Sequence, residues 1–168
     1  MIKLLDILLQ ENDEESILIP RRSPEERTKN YIIATNRKIQ QYIKDGGKGH
    51  LDLSNTPITS LPSNLKVGGY LDLNNTPIIS LPSNLTVGGY LYLYNSKITS
   101  LPSDLKVGGD LYLGNSKITS LPSDLTVGGN LYLYNTPLSK SHTKKQIKQM
   151  APGVKGNILL HLLHENLI

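Results

Sequence analysis

Tyrosine is the residue type whose spacing in this sequence points most directly to binding chemistry. Seven of the nine tyrosines recur at alternating positions of short segments spaced twenty residues apart: Tyr70, Tyr90, Tyr92, Tyr94, Tyr112, Tyr132 and Tyr134. A tyrosine ring offers a broad apolar area with a polar tip and loses little entropy when ordered, so tyrosine is enriched in recognition surfaces. These seven side chains are therefore our candidates for binding a protein partner. The alternative is that tyrosine suits a parallel strand and stacks on its neighbours, and the two interpretations are compatible.

Residue types that perform catalysis or bind metals are sparse. The sequence has no Cys, which excludes disulfides, thiolate metal sites and Cys nucleophiles. The four histidines are scattered, and no Ser-His-Asp or His-rich metal spacing appears. Asp52 and Asp72 lie one repeat apart, about 5 Å along a sheet, where they could hold a cation or remain a solvated pair. We expect a protein that is not an enzyme and that has no cofactor.

The formal net charge of +4 comes from the ends of the chain. Residues 51–140 carry five Lys and five Asp and are neutral. The last 28 residues carry four Lys against one Glu: Lys144, Lys145, Lys148 and Lys155 against Glu165. Three of these lysines share one short helix, where they are either solvent-facing or a weak contact for nucleic acid. We expect no nucleic-acid partner.

A twenty-residue repeat positions the tyrosines. Copies begin at Leu61, Leu81, Leu101 and Leu121, and residues 61–80 agree with 81–100 at fourteen of twenty positions. A fixed period of this length predicts a solenoid. In each copy, a run in which inward and outward residues alternate predicts a strand. In the copy at 70–75, Leu71, Leu73 and Asn75 are expected to point inward and Tyr70 and Asp72 outward. Stacking the copies predicts a parallel sheet of about six strands, beginning near His50, Tyr70, Tyr90, Asp110, Asn130 and Asn157.

An asparagine recurs at the end of five of the six predicted strands, at Asn55, Asn75, Asn95, Asn115 and Asn135. An inward Asn must satisfy both donors and acceptors, and the turn after a strand leaves backbone groups without ladder partners. We therefore expect a structural Asn ladder bonded to the loop backbone. A row of ligand-binding amides is the alternative.

The repeat resembles leucine-rich repeats, especially the short twenty-residue bacterial class found in type III secreted effectors. The residues that carry the resemblance are L-x-L-x-N at 111–115, then Ile118 and Leu121-Pro122, and the likeness covers residues 50–138. One residue rather than two separates the second Leu from the Asn, so we expect a differently built corner. Effectors of this class that are ubiquitin ligases use a Cys nucleophile, which this chain lacks.

The layout is also similar to small repeat proteins encoded by tailed bacteriophages, with PRRSPEER before the repeats, KGHLDL at their entry and VKGN at their exit. This resemblance implies a host-cell or virion setting. Leu9-Gln10-Glu11 is similar to the L-x-E cleavage sites of tailed-phage prohead proteases. The alternative function is therefore a virion-associated or assembly protein with a cleavable N-terminal capsid-targeting segment.

Helices are predicted at both ends of the repeats. Ser23-Pro24-Glu25-Glu26 is a helix start, and Gly46-Gly47 closes a helix of about 22 residues. Its expected contact face is Tyr31, Ile32, Thr35, Ile39, Tyr42 and Ile43. Thr143 and Gln146 fit a second capping box, opening a short helix that ends near Met150. Arg21-Arg22 could bind phosphate or a partner, or simply be solvated.

The C-terminal end is unusually apolar for a sheet edge. A last strand is expected over 157–163, followed by Leu167 and Ile168. Either this tail folds over the open end or it meets another subunit, so we expect a monomer or a weak oligomer through this edge.

Four segments follow from these patterns: an apolar and acidic segment at 1–20, a helical cap at 21–47, repeats at 48–140 and a C-terminal cap at 141–168. The apolar eleven-residue start, interrupted by Asp6, is too short to span a bilayer and lacks signal-peptide features. The sequence thus predicts a leucine-rich-repeat-like solenoid with few helices in its repeats, located in a cytoplasm, without membrane association. Its expected function is non-catalytic protein binding.

Overall fold

The chain winds into a parallel β-solenoid between helical ends. The structure is a computed structural model that describes residues 23–161. The helices are α1 (Pro24–Lys44), α2 (Pro137–Ser141) and α3 (Lys144–Met150). The strands are β1 (Leu51–Asp52), β2 (Lys66–Val67), β3 (Leu71–Asp72), β4 (Thr86–Val87), β5 (Leu91–Tyr92), β6 (Lys106–Val107), β7 (Leu111–Tyr112), β8 (Thr126–Val127), β9 (Leu131–Tyr132) and β10 (Ile158–Leu159).

The strands form two parallel sheets. One has the order β1-β3-β5-β7-β9-β10, and the second has the order β2-β4-β6-β8. The repeat solenoid expected from the sequence is confirmed. The second sheet was not predicted; its strands, like those of the large sheet, are two residues long, and each contributes one inward side chain, as Val67 does.

Pairing from β1 to β9 is in register at intervals of twenty residues. Leu71 pairs with Leu91, and Leu91 pairs with Leu111. The amide of Leu93 donates to the carbonyl oxygen of Tyr112 at 2.8 Å, and each coil repeats this bond to the next. The inward Leu, Ile and Val of successive coils therefore lie on one another in an aliphatic core without Phe or Trp. Burial of each such side chain contributes about 1.5–3 kcal/mol.

The corner before each strand is built from paired glycines. The amide of Gly108 donates to the Val87 carbonyl oxygen at 2.8 Å, and that of Gly109 donates to the Gly89 carbonyl oxygen at 2.9 Å. A Cβ on Gly108 would overlap the Gly88 carbonyl oxygen and lie 3.0 Å from its carbon. No side chain fits between the coils at this corner.

The asparagines that end the strands do not point inward, so that prediction was wrong. Each of the five adopts the left-handed conformation, with φ between 52° and 57°, and their side chains are exposed or half-buried. Asn tolerates this conformation better than most residues, and the change of hand interrupts the strand alternation. The ladder is between amides: Asn75 Nδ2 donates to Asn55 Oδ1 at 3.0 Å, and Asn95 Nδ2 donates to Asn75 Oδ1 at 2.9 Å.

In four of the five copies the inward position belongs to the residue after the asparagine. Thr76, Ser96, Ser116 and Thr136 are buried. The hydroxyl of Thr76 donates to the Leu73 carbonyl oxygen at 2.7 Å, which satisfies the backbone where the strand ends.

Helix α1 begins and ends close to the predicted residues. Ser23 is its N-cap, and the predicted capping box with Glu26 is present. Its contact face is narrower than predicted: Thr35 and Ile39 are buried and Tyr42 is partly buried. Tyr31, Ile32 and Ile43 are exposed, because the helix buries side chains against the first coil along a single row at i, i+4 and i+7.

Helix α1 also covers the β1 edge of the large sheet. Lys38 Nζ donates to the carbonyl oxygen of Asp52, and the Tyr31 hydroxyl donates to that of Asn55 at 3.4 Å. Unpaired edge backbone is a liability in sheets, and these donors satisfy part of it.

The C-terminal end contains the predicted helix and one additional helix. Helix α3 has the capping box of Thr143 and Gln146, and Ile147 is fully buried. The short helix α2 before it was not predicted. Strand β10 lies inside the predicted 157–163, and the apolar residues after position 161 lie outside the described part. No helix within 23–161 is both long and apolar enough to cross a membrane.

Candidate partner-binding face

Each of β1, β3, β5, β7 and β9 has one outward residue, and the residues two positions before and two positions after it also face outward. Stacked over the five strands, these residues form a face of three columns. We call it the tyrosine face. Its first column is His50, Tyr70, Tyr90, Asp110 and Asn130; its middle column is Asp52, Asp72, Tyr92, Tyr112 and Tyr132; its third column is Ser54, Asn74, Tyr94, Gly114 and Tyr134. All seven predicted tyrosines lie on it. Six are half-buried, and Tyr90 is 46% exposed.

A continuous aromatic stack runs up the middle column. The ring centroids of Tyr92 and Tyr112 are 4.8 Å apart with planes inclined by 20°. Those of Tyr112 and Tyr132 are 4.4 Å apart and inclined by 7°. The roughly 4.8 Å separation of neighbouring strands is close to the distance at which offset rings stack, so the ladder imposes the arrangement. Stacking of tyrosines on their neighbours, expected from the sequence, is therefore observed.

The first column extends this stack sideways. Tyr70 stacks on the His50 ring at 4.1 Å and meets Tyr92 edge-on at 6.0 Å. Tyr90 meets Tyr92 edge-on at 6.1 Å. Six aromatic side chains in two columns thus make one connected surface.

Gly114 provides the space for a contact in the third column. A Cβ on this buried glycine would lie 2.8 Å from Tyr134 Cε1, so the Tyr134 ring occupies the volume that a side chain would take. The ring centroid of Tyr134 is 6.0 Å from that of Tyr94, two coils away. Asn115 Nδ2 donates to the Tyr94 hydroxyl at 2.8 Å and holds that ring. Sequence reasoning missed this role of Gly114.

Polar residues of the first column are part of the scaffold. Asp110 Oδ1 accepts from the Asn130 amide at 2.7 Å, and its Oδ2 accepts from the Tyr112 hydroxyl at 3.2 Å. Asn130 Oδ1 accepts from the Asn157 amide at 2.8 Å, and His50 Nδ1 accepts from the Tyr70 amide at 3.1 Å. Each side chain satisfies the amide of the next coil in the same column.

Three of the seven tyrosines on this face have a raised pKa. Burial raises the pKa of Tyr92, Tyr112 and Tyr134 above the ordinary value of about 10, and for Tyr112 the nearby Asp110 carboxylate adds to the rise. Neutral phenols are able to donate hydrogen bonds to a partner. The tyrosine face therefore combines apolar area with neutral phenol hydroxyls at Tyr92, Tyr112 and Tyr134, of which that of Tyr112 already donates to Asp110.

The Asp52 and Asp72 carboxylates lie in adjacent coils but in different environments. The Ser54 amide donates to Asp52 Oδ1 at 2.9 Å and lowers the pKa of that carboxyl. Burial raises the pKa of Asp72, and the Asp52 charge adds to the rise. Within 23–161 no three His, Asp or Glu side chains are grouped so that they could hold a metal ion.

The tyrosine face is acidic, in contrast to the basic chain. Its fifteen outward positions hold three Asp and neither Lys nor Arg, while the whole chain has a formal charge of +4. Such a face favours a neutral or cationic partner surface and disfavours an anionic one.

The predicted cleavage motif, the arginine pair and the lysines of α3 do not belong to the tyrosine face. Leu9-Gln10-Glu11 and Arg21-Arg22 lie outside the described residues, so the cleavage and phosphate hypotheses remain predictions. The three lysines of α3 line a groove beside β10.

Comparison with known proteins adds no family to this description. No protein-family model matches the chain, and neither a curated protein nor a solved structure is significantly similar to it.

Proposed function

We propose that this protein is a non-catalytic binding module that holds a protein partner against the tyrosine face. The observation that supports this most is the connected aromatic surface of the first two columns, built on a rigid sheet and half-exposed along its length. Aromatic side chains with polar tips are the residues that most often dominate binding energy at protein interfaces.

The rings are already ordered before any partner arrives. Each stacked tyrosine packs against neighbours one coil away, and Tyr112 is also fixed by its bond to Asp110. Immobilising a mobile side chain at an interface costs about 0.5–1.5 kcal/mol, and pre-ordered rings avoid much of that cost. A partner therefore gains contact area with little further loss of entropy.

The same stack also has a structural explanation, since it stabilises the ladder. The two roles make different predictions. If the rings serve only the ladder, replacing them lowers stability and affects nothing else. If they bind a partner, replacing them removes binding even where the solenoid remains folded.

We also infer that the solenoid is leucine-rich-repeat-like in how it uses its sheet. Support comes from the L-x-L-x-N element and from the regular sheet face, on which three columns of side chains run from strand to strand. The corner itself uses an outward, left-handed Asn, so the likeness is proposed for the sheet and its use alone.

The test is affinity capture with two matched triple variants. Tyr92→Ser, Tyr112→Ser and Tyr132→Ser together remove the middle-column stack. Thr86→Ser, Lys106→Ser and Thr126→Ser change three side chains on the small sheet instead. We expect the second variant to retain a protein from lysate of the encoding cell, and the first to lose it while keeping its far-ultraviolet circular dichroism spectrum. Equal capture by both variants would refute the proposal.

A further inference from the structure

Among residues 23–161, strand β10 is the last strand of the large sheet, and its outer edge has no strand partner there. Within 23–161 it pairs only with β9. The amides of Leu131 and Leu133 each donate at 2.8 Å to the carbonyl oxygens of Asn157 and Leu159. In a parallel ladder, alternate residues face opposite neighbours, so the amide and carbonyl of Ile158 point away from β9.

Among the described residues, lysine side chains donate to backbone carbonyls at two other places near the ends of the sheets. Lys38 donates to the β1 edge, and Lys148 Nζ donates to the carbonyl oxygen of Val154, which bridges to the small sheet. Among the described residues, no side chain hydrogen-bonds to the backbone of Ile158 or Leu160. The Ile158 and Leu160 side chains are each only 7% exposed, so this edge presents backbone rather than apolar surface.

A cationic groove runs along the open edge. Its lining combines residues 156–159 with the side chains of Lys144, Lys145 and Lys148, and no acidic residue contributes to it. Since Lys148 is bonded to Val154, the ammonium groups of Lys144 and Lys145 are the ones available to a ligand. The groove therefore offers unpaired strand backbone beside positive charge.

We propose that an extended acidic peptide from another protein adds to β10 as a further strand, with its carboxylates facing Lys144 and Lys145. Strand addition supplies affinity through main-chain hydrogen bonds, and flanking side chains supply specificity. A nucleic acid would match the charge but has no peptide backbone to pair with Ile158. Residues 162–168 of this chain contain a single acid, Glu165, and so match the lysines poorly. This site is separate from the tyrosine face and does not depend on it.

Three eight-residue peptides test the charge preference: alternating Glu and Val, alternating Gln and Val, and alternating Lys and Val. Binding to the full chain is measured by fluorescence anisotropy. We expect the Glu peptide to bind. The Gln peptide lacks the two exposed ion pairs with Lys144 and Lys145 and should bind roughly fivefold more weakly. The Lys peptide is repelled by these lysines and should show no binding. No binding of the Glu peptide, or equal binding of the Glu and Gln peptides, would overturn the proposal.

A charge reversal and a backbone measurement complete the test. Lys144→Glu with Lys145→Glu should reverse the preference, so that the Lys peptide binds and the Glu peptide does not. If that variant fails to fold, Lys144→Gln with Lys145→Gln should make Glu and Gln peptides bind equally. Amide hydrogen exchange at Ile158 and Leu160 should slow when the Glu peptide is bound to the wild-type chain. Binding without this protection, or equally strong binding of a short single-stranded DNA, would contradict strand addition.

Discussion

Replacing Gly108 by alanine should destabilise the solenoid severely. An added Cβ would overlap the carbonyl oxygen of Gly88, which belongs to rigid backbone of the preceding coil. The two coils must separate by on the order of 1 Å, as overpacking shifts backbone. That separation breaks the 2.8 Å bond from the Gly108 amide to Val87 and the 2.9 Å bond from Gly109 to Gly89.

The expected loss of stability is the sum of the overpacking cost and the loss of two backbone hydrogen bonds. Overpacking a close contact costs about 1–3 kcal/mol. Two backbone hydrogen bonds contribute about 0.5–1.5 kcal/mol each. The free energy of unfolding should therefore fall by about 2–6 kcal/mol, a large part of the 5–15 kcal/mol typical of a native domain.

Gly114→Ala is the matched control, because its Cβ would meet the movable Tyr134 ring rather than backbone. A ring that rotates aside costs about 0.5–1.5 kcal/mol. Urea unfolding followed by far-ultraviolet circular dichroism measures both variants. If Gly108→Ala is no more destabilising than Gly114→Ala, the close approach of glycine corners does not limit the coil spacing, and the reasoning is wrong.

Four further predictions concern the caps and the tyrosine face. Ser23→Ala removes the N-cap of α1 and should cost about 1 kcal/mol, measured by urea unfolding. Lys38→Met leaves the Asp52 carbonyl without its donor and should cost about 1 kcal/mol in the same assay. Asp72→Asn should raise the free energy of unfolding at neutral pH, because burial raises the folded-state pKa of Asp72 and its charge opposes folding; the gain should vanish below the unfolded pKa of about 3.9. In an ultraviolet titration of the phenols, Tyr112 should ionise at a higher pH than an ordinary tyrosine, and Tyr112→Phe should remove that late step.

The stacking of the repeats was predictable because two periods coincide in the sequence. Leu71 and Leu73 alternate within a strand, and they recur after twenty residues at Leu91 and Leu93. Together these periods determine the inward columns and the outward tyrosines. This alternation alone was enough to predict which residues lie on the tyrosine face.

The corners were not predictable from alternation. Asn75 sits at the next inward position by counting, but its left-handed backbone turns the side chain outward and leaves Thr76 inside. The recurrence of a Thr or Ser directly after each asparagine was the available signal, since a small hydroxyl is able to satisfy a strand-end carbonyl. Gly114 was missed for a related reason: its role is the space it leaves for Tyr134, a residue twenty positions away.

The predicted contact face of α1 was too broad, although the helix and its capping box were predicted correctly. Its sequence predicts a contact face of six side chains, but those buried or partly buried against the first coil follow one row through Thr35, Ile39 and Tyr42. The width of a contact depends on the shape of the opposing surface, and helix periodicity does not contain that shape.

Site-specific photo-crosslinking tests the central claim, that a protein partner contacts the tyrosine face, most directly. Benzoylphenylalanine is placed at Tyr112 in one sample and at Lys106, on the small sheet, in the other, and both are irradiated in lysate of the encoding cell. We expect one protein adduct from position 112 and none from position 106. Adducts from position 106 alone, or the same adducts from both positions, would contradict the account.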